Sequence, residues 1–556
     1  MNYKKITALL LASVMAISTL AGCGSSDEPA AEDTAADTKV EESADTDAKA
    51  EETAGITFPL EEPYEVDVYV MPGNDEMSFE DTAIFKHMEE MTNVKMNVTN
   101  LTLEAFDTTI TTEFATGDYP DVLIKCNIGG EKAADYGEQG ILIDLLDYKE
   151  YMPNYTGILD ERNLWNNALA EDGSLYAFGE IGQQSAYSPW MWINTTWLEK
   201  AGMDMPTNPE EFYEVLKYFK ENDMDGDGDP NNEIPFAALS ADIFRLQNIF
   251  PYYGIRLIGQ WGGDSMNEDA SAYEYYPVTE KYKEAVRWMA KFYEEGLLWD
   301  QTFTSSLDVL AGRIQSGEVT VGCMPEWDIE RWMGKYDPAK EDNLCLQYEI
   351  MPPWEGIKIP SSCGYSDGAA VITDACEHPE IMVAWLDYLY SEEGSLIAGY
   401  GTEGDTYDLV DGNKIKMRTA ENPSATYGED VAKAQLNMGG YTCKPLKNYL
   451  NDYEVYYDTE ANPINGYTQK ITKGWLDNGL LAPAYPSFTL NAEESTRVSD
   501  ISADIDAYYD NYLAEVVTGK IDLDETWDEY LQKMEEMGVS ELVEIKNTAY
   551  QRYLSK

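Results

Sequence analysis

Apolar residues recur along this chain with two periods, and the order in which those periods alternate lays out the fold. Tyr64-Glu65-Val66-Asp67-Val68-Tyr69-Val70 alternates with a period of two, which predicts a strand ending in the turn Met71-Pro72-Gly73-Asn74. Ile84, Phe85 and Met88 then fall at helical spacing within 81–91, residues 94–98 alternate again, and Phe106 to Phe114 returns to helical spacing. Gly117-Asp118-Tyr119-Pro120 breaks that helix and leads into the apolar run Val122-Leu123-Ile124. Strand, helix, strand, helix, strand in this order predicts an open α/β layer.

Residues 187–194 predict a strand that runs into a helix over 195–201. Pro206-Thr207-Asn208-Pro209-Glu210-Glu211 marks another helix start, with a capping side chain, a proline in the first turn and acids at the positive end of the helix dipole. That helix, predicted over 211–220, runs straight into an Asp/Gly loop, 223–233. Val319 to Met324 reads as a further strand, delivering Pro325-Glu326-Trp327-Asp328 to a loop.

The N-terminal pattern is different in kind. Lys4 and Lys5 precede an apolar run from Ile6 to Leu20 that is too short for an ordinary transmembrane helix and ends in Leu20-Ala21-Gly22-Cys23. Residues 1–22 are therefore expected to be a cleaved signal. Leu-Ala-Gly-Cys resembles the bacterial lipoprotein signal, which implies a lipid on Cys23 and an extracytoplasmic, membrane-anchored protein; an ordinary secretory signal is the alternative. After Cys23, residues up to 56 are mostly Ala, Asp, Glu, Ser and Thr, cannot bury a core, and are expected to form a disordered acidic tether.

Composition narrows the chemistry. The 556 residues leave room for two lobes with their own cores after the signal is removed. With 103 acidic and 38 basic residues the formal net charge is -65, a field that disfavours nucleic acid and anionic ligands. Two histidines, His87 and His378, give histidine-based metal sites or Ser-His-Asp catalysis little to work with. The seven cysteines contain no Cys-x-x-Cys pair, and no disulfide pairing is assigned. Thirteen Trp and 40 Tyr suit stacking on the apolar faces of sugars as well as core filling.

Several segments taken together resemble the large extracellular solute-binding lipoproteins of bacterial ABC importers, family 1, carbohydrate-type. They are the lipoprotein signal, the acidic tether, Gly117 to Asp121, Trp192-Ile193-Asn194-Thr195-Thr196-Trp197-Leu198-Glu199-Lys200-Ala201-Gly202, and the Asp/Gly loop closing on Glu233-Ile234-Pro235. Gly364 to Val371, Tyr400 to Tyr407, Tyr485 to Phe488 and the terminal helices with Trp527 and Tyr530 extend the resemblance over nearly the whole mature chain. It implies an α/β, two-lobed periplasmic-binding-protein-like fold (type II) whose lobes, joined by hinge crossings, close over a ligand. Hinges are expected near 194–196 and 365–367. Residues 57–194 and 366–411 would then make the first lobe, and 195–365 and 412–556 the second.

The implied function is capture of a neutral oligosaccharide for import, by a monomer that works with separate ABC permease subunits and has no enzymatic activity. A peptide or another solute as ligand, or a surface glycan-active enzyme or adhesin, are the alternatives. Trp327, flanked by Glu326 and Asp328 after a strand, is the leading ligand-binding candidate, because a ring can stack while carboxylates accept hydroxyls. Trp190, Trp192, Tyr252, Tyr253 and Trp261 are further ring candidates, each with core packing as its alternative. Asn74, Asp75, Asn127, Asp367 and Glu403 lie in expected strand-end loops.

In the loop from Asp223, oxygen side chains at alternate positions with Gly228 at the sixth match the first half of an EF-hand. It departs at the twelfth position, which is Ile234, with Glu233 one residue early. Structural Ca²⁺ is expected on Asp223, Asp225, Asp227, Asp229 (through its carbonyl), Asn231 and Glu233, against the alternative of an acidic turn without an ion.

Overall fold

Alternation makes the first strand, β1 (Tyr64–Val70), with Val66, Val68 and Val70 buried and Glu65 and Asp67 exposed. The computed structural model describes residues 52–555 apart from 54, 72–77, 183–184, 188, 241–245, 259–261, 341, 420–421, 429–452, 457–458, 461, 465 and 486–487. The expected signal, Cys23, most of the tether, Asn74, Asp75 and Trp261 lie outside the described residues.

From β1 the chain runs through α1 (Ala83–Thr92), β2 (Val94–Asn100), α2 (Leu103–Thr116) and β3 (Val122–Ile124). Thr82 and Thr102 cap the two helices by accepting amide N–H groups, and Asn93 and Gly117 end them in the left-handed conformation. Next come α3 (Gly130–Glu138), α4 (Pro153–Glu161), β4 (Phe178–Ile181) and β5 (Ser185–Ala186). They are followed by β6 (Trp190–Asn194), α5 (Thr195–Ala201), α6 (Pro209–Glu221), β7 (Glu233–Phe236) and α7 (Glu280–Glu294). Then β8 (Thr320–Glu326), α8 (Ile329–Met333), β9 (Tyr348–Ile350), β10 (Ser361–Ser362) and β11 (Tyr365–Ile372) lead to α9 (Pro379–Tyr388) and α10 (Glu392–Tyr400). A hairpin of β12 (Tyr407–Val410) and β13 (Lys414–Met417) precedes the terminal helices α11 (Ala492–Val517), α12 (Leu523–Glu536) and α13 (Val539–Ser555). The expected end of the first lobe's return segment, 411, falls in the turn of that hairpin.

Two sheets result. The first has the order β2-β1-β3-β11-β4, with β1 parallel to both neighbours and β11 antiparallel to β3 and β4. The second has the order β9-β6-β8-β7, in which only the β8–β7 pair is parallel. Each sheet has its own buried core. Val66, Val68, Ile84, Met88 and Phe178 belong to the first, and Leu123 and Val371 turn to a smaller cluster with Phe106 and Ile110 on the sheet's other face. Met191, Phe212, Phe219, Phe236, Val321 and Trp332 belong to the second core, which also takes in Ile505, Tyr509 and Leu513 of α11. Close packing of α6 on the second sheet needs Gly322: a Cβ there would lie 2.6 Å from the Phe219 ring and 2.7 Å from the Pro235 carbonyl oxygen.

Between the sheets the chain crosses at 182–189 and again at 351–364, and the two crossings pair as a short antiparallel ladder, Ala186 with Ser361 and Ser185 with Ser362. This corrects the expected hinge positions. Trp190–Asn194 is already a central strand of the second sheet, and Tyr365–Asp367 is already in the first. Residues 481–485 run alongside, with Ser361 Oγ donating to the Ala482 carbonyl at 2.9 Å. Arg162 donates to the Gly182 carbonyl at 2.6 Å and the Cys363 carbonyl at 3.4 Å, so one side chain of the first lobe holds both crossings. Among the described residues no helix is long and apolar enough to cross a membrane.

Candidate functional site

Because β4 leaves the first sheet into one crossing and β6 enters the second sheet from it, the strand ends nearest the joint are the places where both lobes can present groups to one ligand. On the second lobe this edge carries Trp190, at the start of β6, directly opposite Glu326, at the end of β8. The strand expected to stop at Met324 runs on through Glu326, because Pro325 and Glu326 pair with Met191 and Trp190. Directly opposed residues on neighbouring strands share a face, so the two side chains are neighbours.

Glu326 is wholly buried. One carboxylate oxygen, Oε1, accepts the amide N–H groups of Trp327 at 2.6 Å and Asp328 at 3.0 Å, which folds the chain into a turn. The other, Oε2, and the indole N–H of Trp190 are both buried with no hydrogen-bond partner among the described residues. Burial pushes the Glu326 carboxyl up to about 7, against the lowering effects of the Asp328 amide, the Arg331 guanidinium and the Trp327 amide. The turn presents Trp327 half-buried, with Arg331 5.9 Å from its ring centroid, and Asp328 exposed. Asp328 also caps α8 by accepting the Glu330 amide at 3.0 Å. Trp192 belongs to the core: it is 1% exposed and its indole donates to the Glu326 carbonyl at 2.9 Å.

The other expected residues are placed differently. Asn127 is exposed in the left-handed conformation just after β3, on the first lobe's edge. Near it, Asp367 sits in a bulge of β11 with its oxygens accepting from Gly130 N at 2.6 Å, at the start of α3, and Gly368 N at 2.8 Å. The backbones of Gly129 and Gly368 approach so closely that a Cβ on either would lie under 3 Å from the other's main chain. Asp367 therefore holds a tight backbone crossing as well as lying at this edge. Glu403 is exposed in the turn before β12, bridged by its backbone to Tyr407. Tyr252 is buried with its hydroxyl on the Met351 carbonyl at 2.6 Å, and Tyr252 and Tyr253 both pack on Trp354, away from the Trp190–Glu326 pair.

The acidic loop joins α6 to β7. Asp223 accepts the Gly226 amide at 2.6 Å and the Gly228 amide at 3.0 Å, and both glycines have positive φ, which lets the chain turn around the carboxylate. Oxygens of Asp223, Asp225 and Glu233 lie within 4.8 Å of one another. Glu233 is buried at the start of β7; its Oε1 accepts the Met224 amide at 2.7 Å, while Oε2 is buried with no partner among the described residues. Burial raises its pKa, offset by amide hydrogen bonds and raised further by Asp225. Of the six expected ligands the structure gathers these three. Asp227 and Asp229 bond within the loop, to Asn232 Nδ2 at 2.8 Å and Asn231 Nδ2 at 2.8 Å respectively. A hard cation fits the gathered oxygens, because it would pair the one Glu233 oxygen that the protein leaves alone.

Proteins described as "Bacterial extracellular solute-binding protein" match residues 75–395, more than half of the chain. The chain belongs to this family. Among relatives of this solute-binding protein, the fructooligosaccharide ABC transporter substrate-binding protein FusA of Streptococcus pneumoniae serotype 4 is 25% identical over 577 residues, covering 99% of this chain and 98% of the relative. The solved HMO-binding, ABC-transporter-associated solute-binding protein of Bifidobacterium longum infantis superposes with a TM-score of 0.72 at 19% identity, over 88% of this chain and 99% of that one. The EF-hand mutant of S. pneumoniae FusA in complex with fructo-nystose gives 0.66 at 20% identity, over 88% and 99%. The fold is the two-lobed type II architecture of these proteins.

Replacing Glu326 with Gln tests the burial of its carboxyl. Its ordinary pKa of 4.5 in the unfolded chain rises to about 7 on folding, so between these values the folded state binds more protons and the group's contribution to stability falls as pH rises. The stability of the native protein relative to Glu326→Gln should therefore drop on the order of 3 kcal/mol between pH 4.5 and 7.5 in urea unfolding. A difference that stays flat over this range would contradict a buried, protonated Glu326.

Proposed function

We propose that this solute-binding protein is the lipid-anchored receptor of an ABC importer and captures a neutral oligosaccharide between its lobes. The observation that carries the reading is the Glu326–Asp328 turn beside the joint. It offers a half-buried indole, an exposed carboxylate and, behind them, a buried indole N–H and a carboxyl oxygen without partners among the described residues. Rings cover the apolar face of a sugar while carboxylates and amides take its hydroxyls. A formal charge of -65 favours a neutral ligand over an anionic one. Relatives named for fructooligosaccharide and HMO binding support the carbohydrate class. The ligand selects the closed arrangement of the lobes, and the loaded form passes its cargo to a separate permease without chemical turnover.

In the same proposal Asp223, Asp225 and Glu233 hold Ca²⁺, with Asp227, Asp229 and Asn231 completing the set as the loop tightens. The ion has a structural role, tying the end of α6 to the start of β7; an EF-hand mutant among the FusA structures supports a cation loop in the family. The lipid on Cys23 and the acidic segment after it keep the receptor near its permease, raising local concentration without new contacts.

Three measurements follow. Trp327→Ala should weaken oligosaccharide binding in calorimetry by about 1–3 kcal/mol, and unchanged affinity would remove the ring from the site. Chelation by EDTA should lower the thermal unfolding midpoint and added Ca²⁺ restore it, by about 3 kcal/mol at a hundredfold excess over Kd, whereas Glu233→Gln should not respond; a native protein indifferent to Ca²⁺ at millimolar levels has no such site. Cys23→Ala should move the protein from membrane to soluble fractions with ligand affinity intact, and a loss of affinity would mean that anchor and binding body are not separable.

A further inference from the structure

Tyr253 and its neighbours line a cavity of about 380 Å³ whose walls come from the second lobe (the start of α6, the start of α7 and the segment after Phe250) and from the second crossing. That size lies within the range of about 300–1,000 Å³ found for small-ligand sites. Tyr252 and Tyr253 meet Trp354 edge to face, with centroids 5.6 and 5.0 Å apart, which makes a rigid aromatic wall beside Ile357. Behind this wall the Tyr253 hydroxyl and the Trp354 indole N–H are buried and have no partner among the described residues. Both signs of charge stand around it. The Lys281 ammonium donates to the Gly254 carbonyl at 3.2 Å and keeps further protons free, and Glu284 and Glu355 present exposed carboxylates.

These groups discriminate between ligand classes. Glu284 and Glu355, with Glu210 also close to Tyr253, outweigh the one ammonium and repel an anion. A neutral, hydroxyl-rich ring is both donor and acceptor, so it can use the carboxylates and the ammonium together and lay its C–H face on the apolar wall.

We infer that this cavity is a second carbohydrate subsite, sized for a monosaccharide or disaccharide unit and separate from the cleft between the lobes. The inference rests on the reading of the protein as a carbohydrate binder. Because no wall comes from the first lobe, occupancy does not require the lobes to close. A free short sugar or the end unit of a longer chain held elsewhere on the surface would present the same chemistry.

Saturation-transfer NMR with glucose and sucrose, and low-angle scattering with the same sugars and with nystose, test the subsite on the full mature protein. A short sugar should bind both the native protein and Trp327→Ala, without compaction, while nystose compacts the native protein. Glu284→Ala and Trp354→Phe should each weaken the short sugar about tenfold and leave the affinity for nystose unchanged. Loss of a nystose effect in these two variants would instead mean that the longer chain reaches the cavity through its end unit, which also supports the subsite. A short-sugar signal that vanishes in Trp327→Ala, or a sugar-soaked crystal with water alone in the cavity, would overturn it. Nystose binding with compaction but no short-sugar signal would remove the subsite and leave the receptor reading standing; no binding of any sugar would remove both.

Discussion

Two hydrophobic cores that do not merge need a joint, and the arrangement of this molecule follows from how little chain the joint contains. The paired rungs are Ala186–Ser361 and Ser185–Ser362, extended by the Tyr187 amide on the Pro360 carbonyl at 2.7 Å and the Gly182 amide on the Gly364 carbonyl at 2.6 Å. A ladder this short, built from Ser, Ala and Gly, buries little apolar surface, so it contributes alignment more than stability. Arg162 adds the first lobe's grip by donating to carbonyls of both crossings. Relative motion of the lobes is thereby confined to a narrow strip of backbone, while each sheet keeps its register because one face of every strand is committed to its own core.

A second connection lies at the C-terminus. Helix α13 packs in the second core, yet Tyr553 donates to Asn167 at 3.2 Å and accepts from Asn166 through its carbonyl at 3.1 Å, and Arg552 pairs with Glu171 of the first lobe at 3.2 Å while chelating Glu494 of its own. These are polar contacts at a partly exposed seam, individually weak in water and easily exchanged for water. The lobes are therefore joined covalently at a stiff ladder and non-covalently at a soft seam, a distribution suited to a clamp that must open and close at small energetic difference.

Local periodicity made most of the elements readable: the strand at Tyr64–Val70 and the helix at Thr195–Ala201 have the predicted limits, because capping and alternation act within a few residues. What could not be read was partnership at a distance. Trp190 to Asn194 has a strand's composition whichever sheet it joins, so the hinge was expected a few residues late; only its pairing with Cys323 to Glu326 decides that it belongs to the second lobe. The same holds at the site. Trp327 and its flanking acids were legible as a ring among charges after a strand, but nothing local says that Glu326 faces inward while Asp328 faces water. Tyr252 and Tyr253 follow a run of apolar residues and looked like ligand rings; tertiary packing against Trp354 puts them in a different cavity. In the acidic loop, oxygen spacing announced a cation-binding shape, whereas the gathering of Asp223 and Asp225 with Glu233 depends on how β7 is docked.

Two buried acids of the core are held in different ways. Asp387, on α9, is also buried, and it accepts the backbone amides of Asn154 and Tyr155 at 3.1 and 2.7 Å and the Asn154 side chain at 2.9 Å, both its oxygens engaged at the start of α4. There a negative charge is matched to unpaired helix N–H groups, and the carboxylate fastens one helix to another. Glu326 receives two amides on one oxygen and, among the described residues, nothing on the other, beside an indole N–H that likewise has no partner among them. Leaving two such groups buried and unpaired costs about 1–3 kcal/mol each. In the proposed receptor a ligand hydroxyl, which can donate to one and accept from the other, would offset that cost.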